Sequence, residues 1–213
     1  MSLVQRGRFI TFEGGEGTGK STQARRLAER LSAGGLDVVS TREPGGSPGA
    51  EAIRALALNG AADRWSPVSE TLLMYAARAD HLEKLIRPAL SDGAWVVCDR
   101  FYDSTRAYQG AGGGAPTKLI NLLQAEVAGA DRPDLTLVLD IEVEAGLARA
   151  VGRDALDRFE SMDRGFHERL RQGFLAIAAS EPERCVVVPA AGTPDEVAAR
   201  VWSAVRDRLG VNA

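Results

Sequence analysis

The sequence has no excess of positive charge and very few lysines. Its 213 residues include 26 Lys and Arg against 29 Asp and Glu, which gives a formal net charge of −3. The lysines are Lys20, Lys84 and Lys118. Nucleic acids and anionic membranes select a basic surface, so this charge balance argues against a general binder of either. We expect no nucleic-acid partner and no membrane partner.

Reactive side chains are also scarce. The two cysteines, Cys98 and Cys185, match no metal-ligand spacing, and each lies in a valine-rich apolar run. This context predicts buried thiols and no disulfide. The two histidines, His81 and His167, lie in no recognisable pattern with a partner residue. The sequence therefore favours exposed or capping roles for them over catalysis.

Long apolar runs are missing as well. No uninterrupted run approaches the ~18 residues of a membrane-spanning helix, and the N-terminus has no apolar leader. The composition, 45% hydrophobic and 26% charged, is that of an ordinary globular protein. We therefore expect a cytoplasmic protein.

Strands and helices alternate along the chain. Short apolar stretches predict five strands, at 8–12, 37–44, 94–99, 134–141 and 184–190. Helical patterns are predicted at 20–33, 47–60, 66–93, 117–129 and 193–209, with two further helical segments between 141 and 184. This alternation predicts an α/β fold with a mostly parallel sheet, in a single domain spanning residues 1–213.

A glycine-rich stretch, "FEGGEGTGKST", lies between the first predicted strand and the first predicted helix. It contains the P-loop pattern Gly-x4-Gly-Lys-Ser. Backbone N–H groups of such a loop converge on phosphate oxygens, Lys20 supplies an ammonium group, and Ser21 supplies a hydroxyl for Mg²⁺. The predicted triphosphate site consists of Gly14, Gly15, Glu16, Gly17, Thr18, Gly19, Lys20, Ser21 and Thr22.

Charged residues also lie at the carboxyl ends of the first four predicted strands. These strand-end residues are Glu13, Arg42, Glu43, Asp99, Arg100 and Asp140. Because ligands of open α/β sheets bind beyond the carboxyl ends of the strands, we expect these side chains at one rim. Arginine binds phosphate oxygens bidentately, and carboxylates can hold Mg²⁺ directly or through water.

Five motifs in order resemble the thymidylate kinase family of P-loop nucleoside monophosphate kinases. They are "FEGGEGTGKST", "TREPGG", "YAAR", "DRFYDSTRAYQG" and "RPDLTLVLD", which together span most of the chain. The resemblance implies a P-loop NTPase fold with a five-stranded parallel sheet flanked by helices, and a homodimer. It also implies transfer of the γ-phosphoryl group of ATP to dTMP, with Mg²⁺, to give ADP and dTDP for dTTP synthesis.

The resemblance also implies roles for residues at the phosphates. Arg42 and Arg100 would clamp the dTMP phosphate. Asp99 would lie near Mg²⁺ and the transferring phosphoryl group, with Ser21 as the other metal-binding side chain. Glu13 would contact the sugar or phosphate side of the acceptor.

The nucleoside pocket follows from the same resemblance. Arg78 would donate to the carbonyl edge of thymine, and the pocket would be lined by Ser104, Tyr108 and Gln109. Met74 occupies a position where many relatives carry a phenylalanine that stacks on thymine. A methionine covers a ring face less rigidly.

Residues 149–160 resemble the lid that closes over ATP in this family. Relatives differ in whether the P-loop or the lid supplies a further catalytic arginine. The P-loop here has none, so the lid is expected to supply it, with Arg153 the first candidate and Arg149 or Arg158 the next. The catalytic set implied in this way is Lys20, Asp99, Arg100 and Arg153.

Two other functions remain open at this point. A P-loop alone also fits another nucleoside monophosphate or small-metabolite kinase. A guanine-specific switch of a different class would usually carry an [NT]-K-x-D segment, and none of the three lysines lies in one.

Overall fold

The computed structural model describes residues 5–61, 63–150, 158–159 and 161–211. It contains one sheet with the strands β1 (Phe9–Glu13), β2 (Val38–Arg42), β3 (Trp95–Asp99), β4 (Leu135–Asp140) and β5 (Cys185–Pro189). The strand order is β2-β3-β1-β4-β5, and every pair is parallel. The predicted five-stranded parallel α/β fold is confirmed.

Helices connect the strands. They are α1 (Lys20–Ala33), α2 (Pro48–Leu58), α3 (Pro67–His81), α4 (Arg87–Ser91), α5 (Tyr102–Thr105), α6 (Thr117–Val127), α7 (Val143–Ala150), α8 (Arg164–Ser180) and α9 (Pro194–Leu209). π-Helical segments at Leu82–Ile86 and Arg106–Gly112 extend α3 and α5. In the described part of the chain, no helix is long and apolar enough to cross a membrane.

Several helix ends follow the sequence closely. Helix α1 begins at Lys20, directly after the glycine turn, as predicted. Thr193 caps α9 through a reciprocal capping box with Glu196, and Pro194 occupies its first turn. The predicted helix at 66–93 changes to a π turn before Pro88, a residue that has no N–H to donate to the preceding turn.

The core consists of apolar side chains on both faces of the sheet. One cluster packs strand residues such as Phe12 and Leu137 against α1 and α9, and another packs Phe9 and Val96 against the segment that follows α3. Burial on both faces explains the nearly continuous apolar sequence of β4. Both cysteines are buried free thiols, as predicted.

The parallel arrangement brings the charged strand ends to one edge. β1, β2, β3 and β4 end at Glu13, Arg42, Asp99 and Asp140. Arg42 pairs in register with Asp99 of the neighbouring strand. The predicted charged rim is therefore present, and the candidate site lies there.

Candidate active site

A cavity of about 470 Å³ opens at this rim. P-loop residues line one end. The loops after β2 and β3 and helix α3 line the other, which we call the acceptor end because the predicted dTMP residues lie there. Of the residues predicted for the site, the cavity is lined by Glu16, Gly17, Gly19, Lys20, Ser21, Arg42, Met74, Arg78, Asp99, Arg100, Ser104, Tyr108 and Gln109. The structure thus brings most of the predicted set together.

The P-loop has the close backbone packing that its glycines suggest. Gly17 has a φ of 65°, and a Cβ there would collide with the carbonyl oxygen of Gly146. Gly14, Gly15 and Thr18 line a second, smaller cavity beside β4. Thr22 lies exposed on the first turn of α1.

Lys20 is buried at the centre of this loop. Its Nζ donates to the carbonyl oxygen of Gly15 at 2.6 Å and to Thr18 Oγ1 at 3.3 Å. Burial and the nearby charge of Arg100 lower the pKa of Lys20 to about 8. Negative charge arriving at the loop would offset both effects, so the ammonium group suits a phosphate ligand.

Ser21 and Asp99 meet beside the lysine. Ser21 Oγ donates to Asp99 Oδ2 at 2.5 Å. The other carboxylate oxygen, Asp99 Oδ1, is buried and has no hydrogen-bond partner in the described part of the chain. A hydroxyl and a carboxylate with a free oxygen are ligands that Mg²⁺ accepts.

Arg100 is fixed at several points. It is the one non-glycine residue of the described chain with positive φ, 74°, and its N–H donates to Phe12 O at 2.9 Å. The guanidinium donates to Gly14 O at 3.0 Å, to Ser104 Oγ at 3.2 Å and to Glu16 Oε1 at 3.0 Å. A strained backbone held this firmly fits a residue with a positioning task.

Glu16 is a P-loop residue whose side chain points to the acceptor end. Its carboxylate accepts from Arg100 and from the hydroxyl of Tyr108. Burial alone would raise the pKa of Glu16, but the charges of Arg100 and Lys20 and the Tyr108 hydrogen bond lower it to about 2. Glu16 is therefore an anion that orients Arg100.

Glu13 lies fully buried beneath the cavity. It accepts hydrogen bonds from the backbone N–H of Phe101 at 2.8 Å and from Ser104 Oγ at 2.6 Å. Burial and the charge of Asp103 raise the pKa of Glu13 to about 8. Its contacts in the structure support the loop that carries Arg100.

Arg78 forms the floor of the acceptor end. The side chain is buried, and its Nε donates to Glu43 Oε2 at 2.7 Å. Nη2 donates to Thr105 Oγ1 at 3.1 Å. Met74 is buried one turn away on the same helix and lines the same cavity.

Gln109 and Arg42 also line the acceptor end, and they differ in exposure. Gln109 is buried and donates to Glu70 Oε1 at 2.7 Å. Arg42 lies at the rim, with more than half of its side chain exposed, and its Nη2 lies 3.2 Å from Glu51 Oε1.

The lid lies partly outside the described residues. Arg153 is among the residues that the structure does not describe. Arg149 donates to the carbonyl oxygen of Ala190 at 3.0 Å, on the loop after β5. Arg158 is buried and pairs with Glu70.

The expectation that the histidines are exposed was wrong, because His81 is fully buried and His167 nearly so. His81 precedes the π segment, but its side chain makes no capping hydrogen bond there. His81 contacts Glu43 and Thr41, and Glu43 was predicted only as one of several rim carboxylates. The available signal was the three-residue spacing of Arg78 and His81, which places both on one face of α3.

Arg54 also lines the cavity and carried no sequence signal; its guanidinium donates to Pro44 O at 2.7 Å. Thr105 lies in the fourth motif and Phe159 in the predicted lid, but neither was singled out as a site residue. Phe159 packs edge-on against Tyr108.

Comparison with known proteins assigns the family. A family model described as thymidylate kinase matches residues 12–201. The chain belongs to the thymidylate kinase family. It is 63% identical to the thymidylate kinase of Caulobacter vibrioides, over 98% of this chain and 100% of that protein. It is 56% identical to that of Bradyrhizobium diazoefficiens, over 96% of this chain and 91% of that protein.

A solved structure agrees with this assignment. The crystal structure of thymidylate kinase from Ehrlichia chaffeensis superposes with a TM-score of 0.79 at 36% identity. The match covers 94% of this chain and 99% of that one. The resemblance inferred from the five motifs is confirmed.

Proposed function

We propose that this member of the thymidylate kinase family transfers the γ-phosphoryl group of ATP to dTMP, giving ADP and dTDP for dTTP synthesis. The observation that carries the proposal is one cavity with a P-loop lysine at one end and two arginines, the buried Arg78 and the partly buried Arg100, at the other. A triphosphate and a second anionic reactant would fit such a cavity end to end.

Different residues bind the donor phosphates, the acceptor phosphate and the acceptor nucleoside. Lys20 binds the donor phosphates and stabilises the charge that develops on the transferring phosphoryl group. Arg100 and Arg42 bind the phosphate of dTMP. Arg78, Met74, Tyr108 and Gln109 hold its nucleoside. Phosphoryl transfer depends on positioning and charge neutralisation, and these fixed cations supply both.

We propose Mg²⁺ as the cofactor. Ser21 and Asp99 would hold it, directly or through water, because a hydroxyl and an orphaned carboxylate oxygen lie together there. When bound with ATP, Mg²⁺ neutralises phosphate charge. The remaining members of the proposed catalytic set, Arg100 and Arg153, supply charge from the acceptor side and from the lid over 149–160.

We also propose a homodimer in the cytoplasm. Large apolar side chains on α2, α3 and α6 are 40–57% exposed and support a partner surface: Leu56, Val68, Leu72 and Leu122. Light scattering during gel filtration tests the assembly. The dimer predicts twice the 22.7 kDa mass of one chain, and the single-chain mass contradicts it.

A coupled assay of ADP release tests the activity. Turnover with dTMP is expected to exceed turnover with dUMP, CMP or AMP at equal concentration. A preference for one of the other acceptors would assign a different nucleoside monophosphate kinase activity. Competition between ATP and GTP, measured in the same assay, tests the donor.

A further inference from the structure

A chain of buried hydrogen bonds lies beneath the acceptor end of the cavity. Thr41 Oγ1 and His81 Nε2 are 2.8 Å apart. His81 Nδ1 lies 3.1 Å from Glu43 Oε1, and Glu43 Oε2 accepts from Arg78 Nε at 2.7 Å. His81, Glu43 and Arg78 are all at least 95% buried. Each carboxylate oxygen of Glu43 thus has its own partner.

The Arg78 guanidinium is held on several sides. Besides the Glu43 contact, Nη2 donates to Thr105 Oγ1, and the group lies 4.7 Å from the ring centre of Tyr75 and 5.3 Å from that of Phe101. Nη1 is buried and has no hydrogen-bond partner among the described residues. Arg78 lines the cavity, and Nη1 is its guanidinium nitrogen without a partner in that part of the chain, which leaves it for a ligand.

We propose that Glu43 is a positioning residue that sets specificity for the acceptor base by locking Arg78, with His81 and Thr41 holding Glu43 in place. The inference rests on the proposed function. A fixed N–H donor fits a pyrimidine with a carbonyl on the facing edge. A pyrimidine with an amino group there would set donor against donor.

Fixing Arg78 matters for specificity, because an unrestrained arginine side chain could rotate away from the wrong base. A guanidinium held through Nε and Nη2 keeps Nη1 in one direction, so an amino-bearing base leaves a buried donor unpaired. That mismatch is costly, and rejection of the wrong base depends on it.

The local sequence is built around this chain of contacts. Gly46 has a φ of 86°, and a Cβ there would collide with the imidazole Nε2 of His81. The motif "TREPGG" therefore contributes Thr41, Glu43 and Gly46 to the support of Arg78, as well as Arg42 at the rim.

Glu43→Gln tests the proposal. It keeps the shape of the side chain but removes the charge and turns one acceptor into a donor. We expect kcat/KM for dTMP to fall roughly tenfold to hundredfold, mainly through KM, from the loss of a charged hydrogen bond. The KM for ATP should stay within about twofold, and the preference for dTMP over dCMP should fall by a similar factor to kcat/KM.

Two further variants separate positioning from stability. Glu43→Asp keeps the charge but withdraws the oxygens from Arg78, so it should lose base preference while unfolding closer to the wild-type temperature. His81→Gln removes one anchor of Glu43 and should show a smaller loss of preference. If Glu43→Gln does not fold, Glu43→Asp and His81→Gln test the proposal in its place.

Asp131→Asn is the matched control. Asp131 Oδ2 accepts from Arg87 Nε at 2.7 Å, the same Nε-to-carboxylate distance, at a more exposed position that does not line the cavity. It should leave both acceptor KM values unchanged.

The outcomes distinguish the inference from the function on which it rests. Arg78→Ala should abolish the preference for dTMP over dCMP. If it does, and the folded Glu43 and His81 variants keep the wild-type preference, the inference is overturned and the function stands. If wild-type enzyme has no preference for dTMP, or Arg78→Ala keeps it, the placement of the acceptor base is wrong, and the inference falls with it.

Discussion

The two ends of the cavity hold their cations in different ways. At the P-loop end, the ammonium group of Lys20 contacts a neutral carbonyl and a neutral hydroxyl. At the acceptor end, Arg78 is paired with the buried carboxylate of Glu43, and Arg100 with the mostly buried carboxylate of Glu16.

The pKa shifts follow this difference. Burial and Arg100 lower the pKa of Lys20 to about 8. Burial also opposes the charge of Arg100, but the neighbouring Tyr108, Glu16 and Asp99 raise its pKa above the usual range. We therefore propose that ligand phosphates supply the anionic partner of Lys20, whereas the protein itself holds Arg100 in place. We expect the P-loop end to govern turnover and the acceptor end to govern binding of dTMP.

Lys20→Ala should produce the largest effect. The cation acts mainly on charge that develops in the transition state, so kcat should fall roughly a hundredfold to a thousandfold. The KM for dTMP should change little. Steady-state kinetics with both substrates varied, beside a thermal melt to verify folding, checks this. An unchanged kcat would remove the P-loop from the chemistry.

Arg153→Ala should come next. A lid cation adds to Lys20 at the transferring phosphoryl group, so we expect kcat to fall roughly tenfold to a thousandfold with dTMP affinity retained. Arg149→Ala is the control, because Arg149 donates to backbone carbonyls after β5. Normal turnover of Arg153→Ala would contradict the proposed role of the lid arginine.

Arg42→Ala should have a smaller effect than the alanine variants of Arg78 and Arg100. The Arg42 guanidinium is paired with Glu51 at the exposed rim, where solvent weakens charge interactions. We expect a loss of about 1 kcal/mol in kcat/KM for dTMP, increasing at low ionic strength. A loss that is large and independent of salt would show that Arg42 is enclosed once dTMP binds.

The smallest expected effect is the uptake of protons when ATP binds. At pH 8 Lys20 is about half protonated in the free enzyme, and phosphates favour the ammonium form. ATP binding should therefore take up about half a proton at pH 8 through Lys20 and much less near pH 6.5, where the lysine is already charged.

Calorimetry in buffers of different ionisation enthalpy measures this uptake. Lys20→Arg is the control, because its charge does not titrate in this range and its uptake at pH 8 should be smaller. Equal uptake by both proteins would assign the proton to another group.

The same contrast explains what the sequence could predict. The P-loop is contiguous in sequence. The eleven residues from Phe12 to Thr22 were therefore enough to predict both the turn and a phosphate ligand. The parallel sheet and its charged rim followed from alternating strands and helices.

The acceptor end is assembled from separated segments, so its residue types were visible but their pairings were not. No local pattern shows that His81 is buried and hydrogen-bonded to Thr41, or that Glu43 accepts a hydrogen bond from Arg78, 35 residues later. Arg158 was considered as a lid cation, yet it pairs with Glu70, 88 residues earlier. Such contacts join segments that are far apart in the chain, so tertiary structure alone determines them.

The most direct test of the division between the two ends is the equilibrium affinity of Arg100→Ala for each substrate. Removing a partly buried, charge-paired guanidinium should weaken dTMP binding by roughly 2–4 kcal/mol and leave ATP binding within a few-fold of wild type. Titration calorimetry with each nucleotide alone measures both. If ATP affinity falls by that amount while dTMP affinity holds, the two ends of the cavity have been assigned to the wrong substrates.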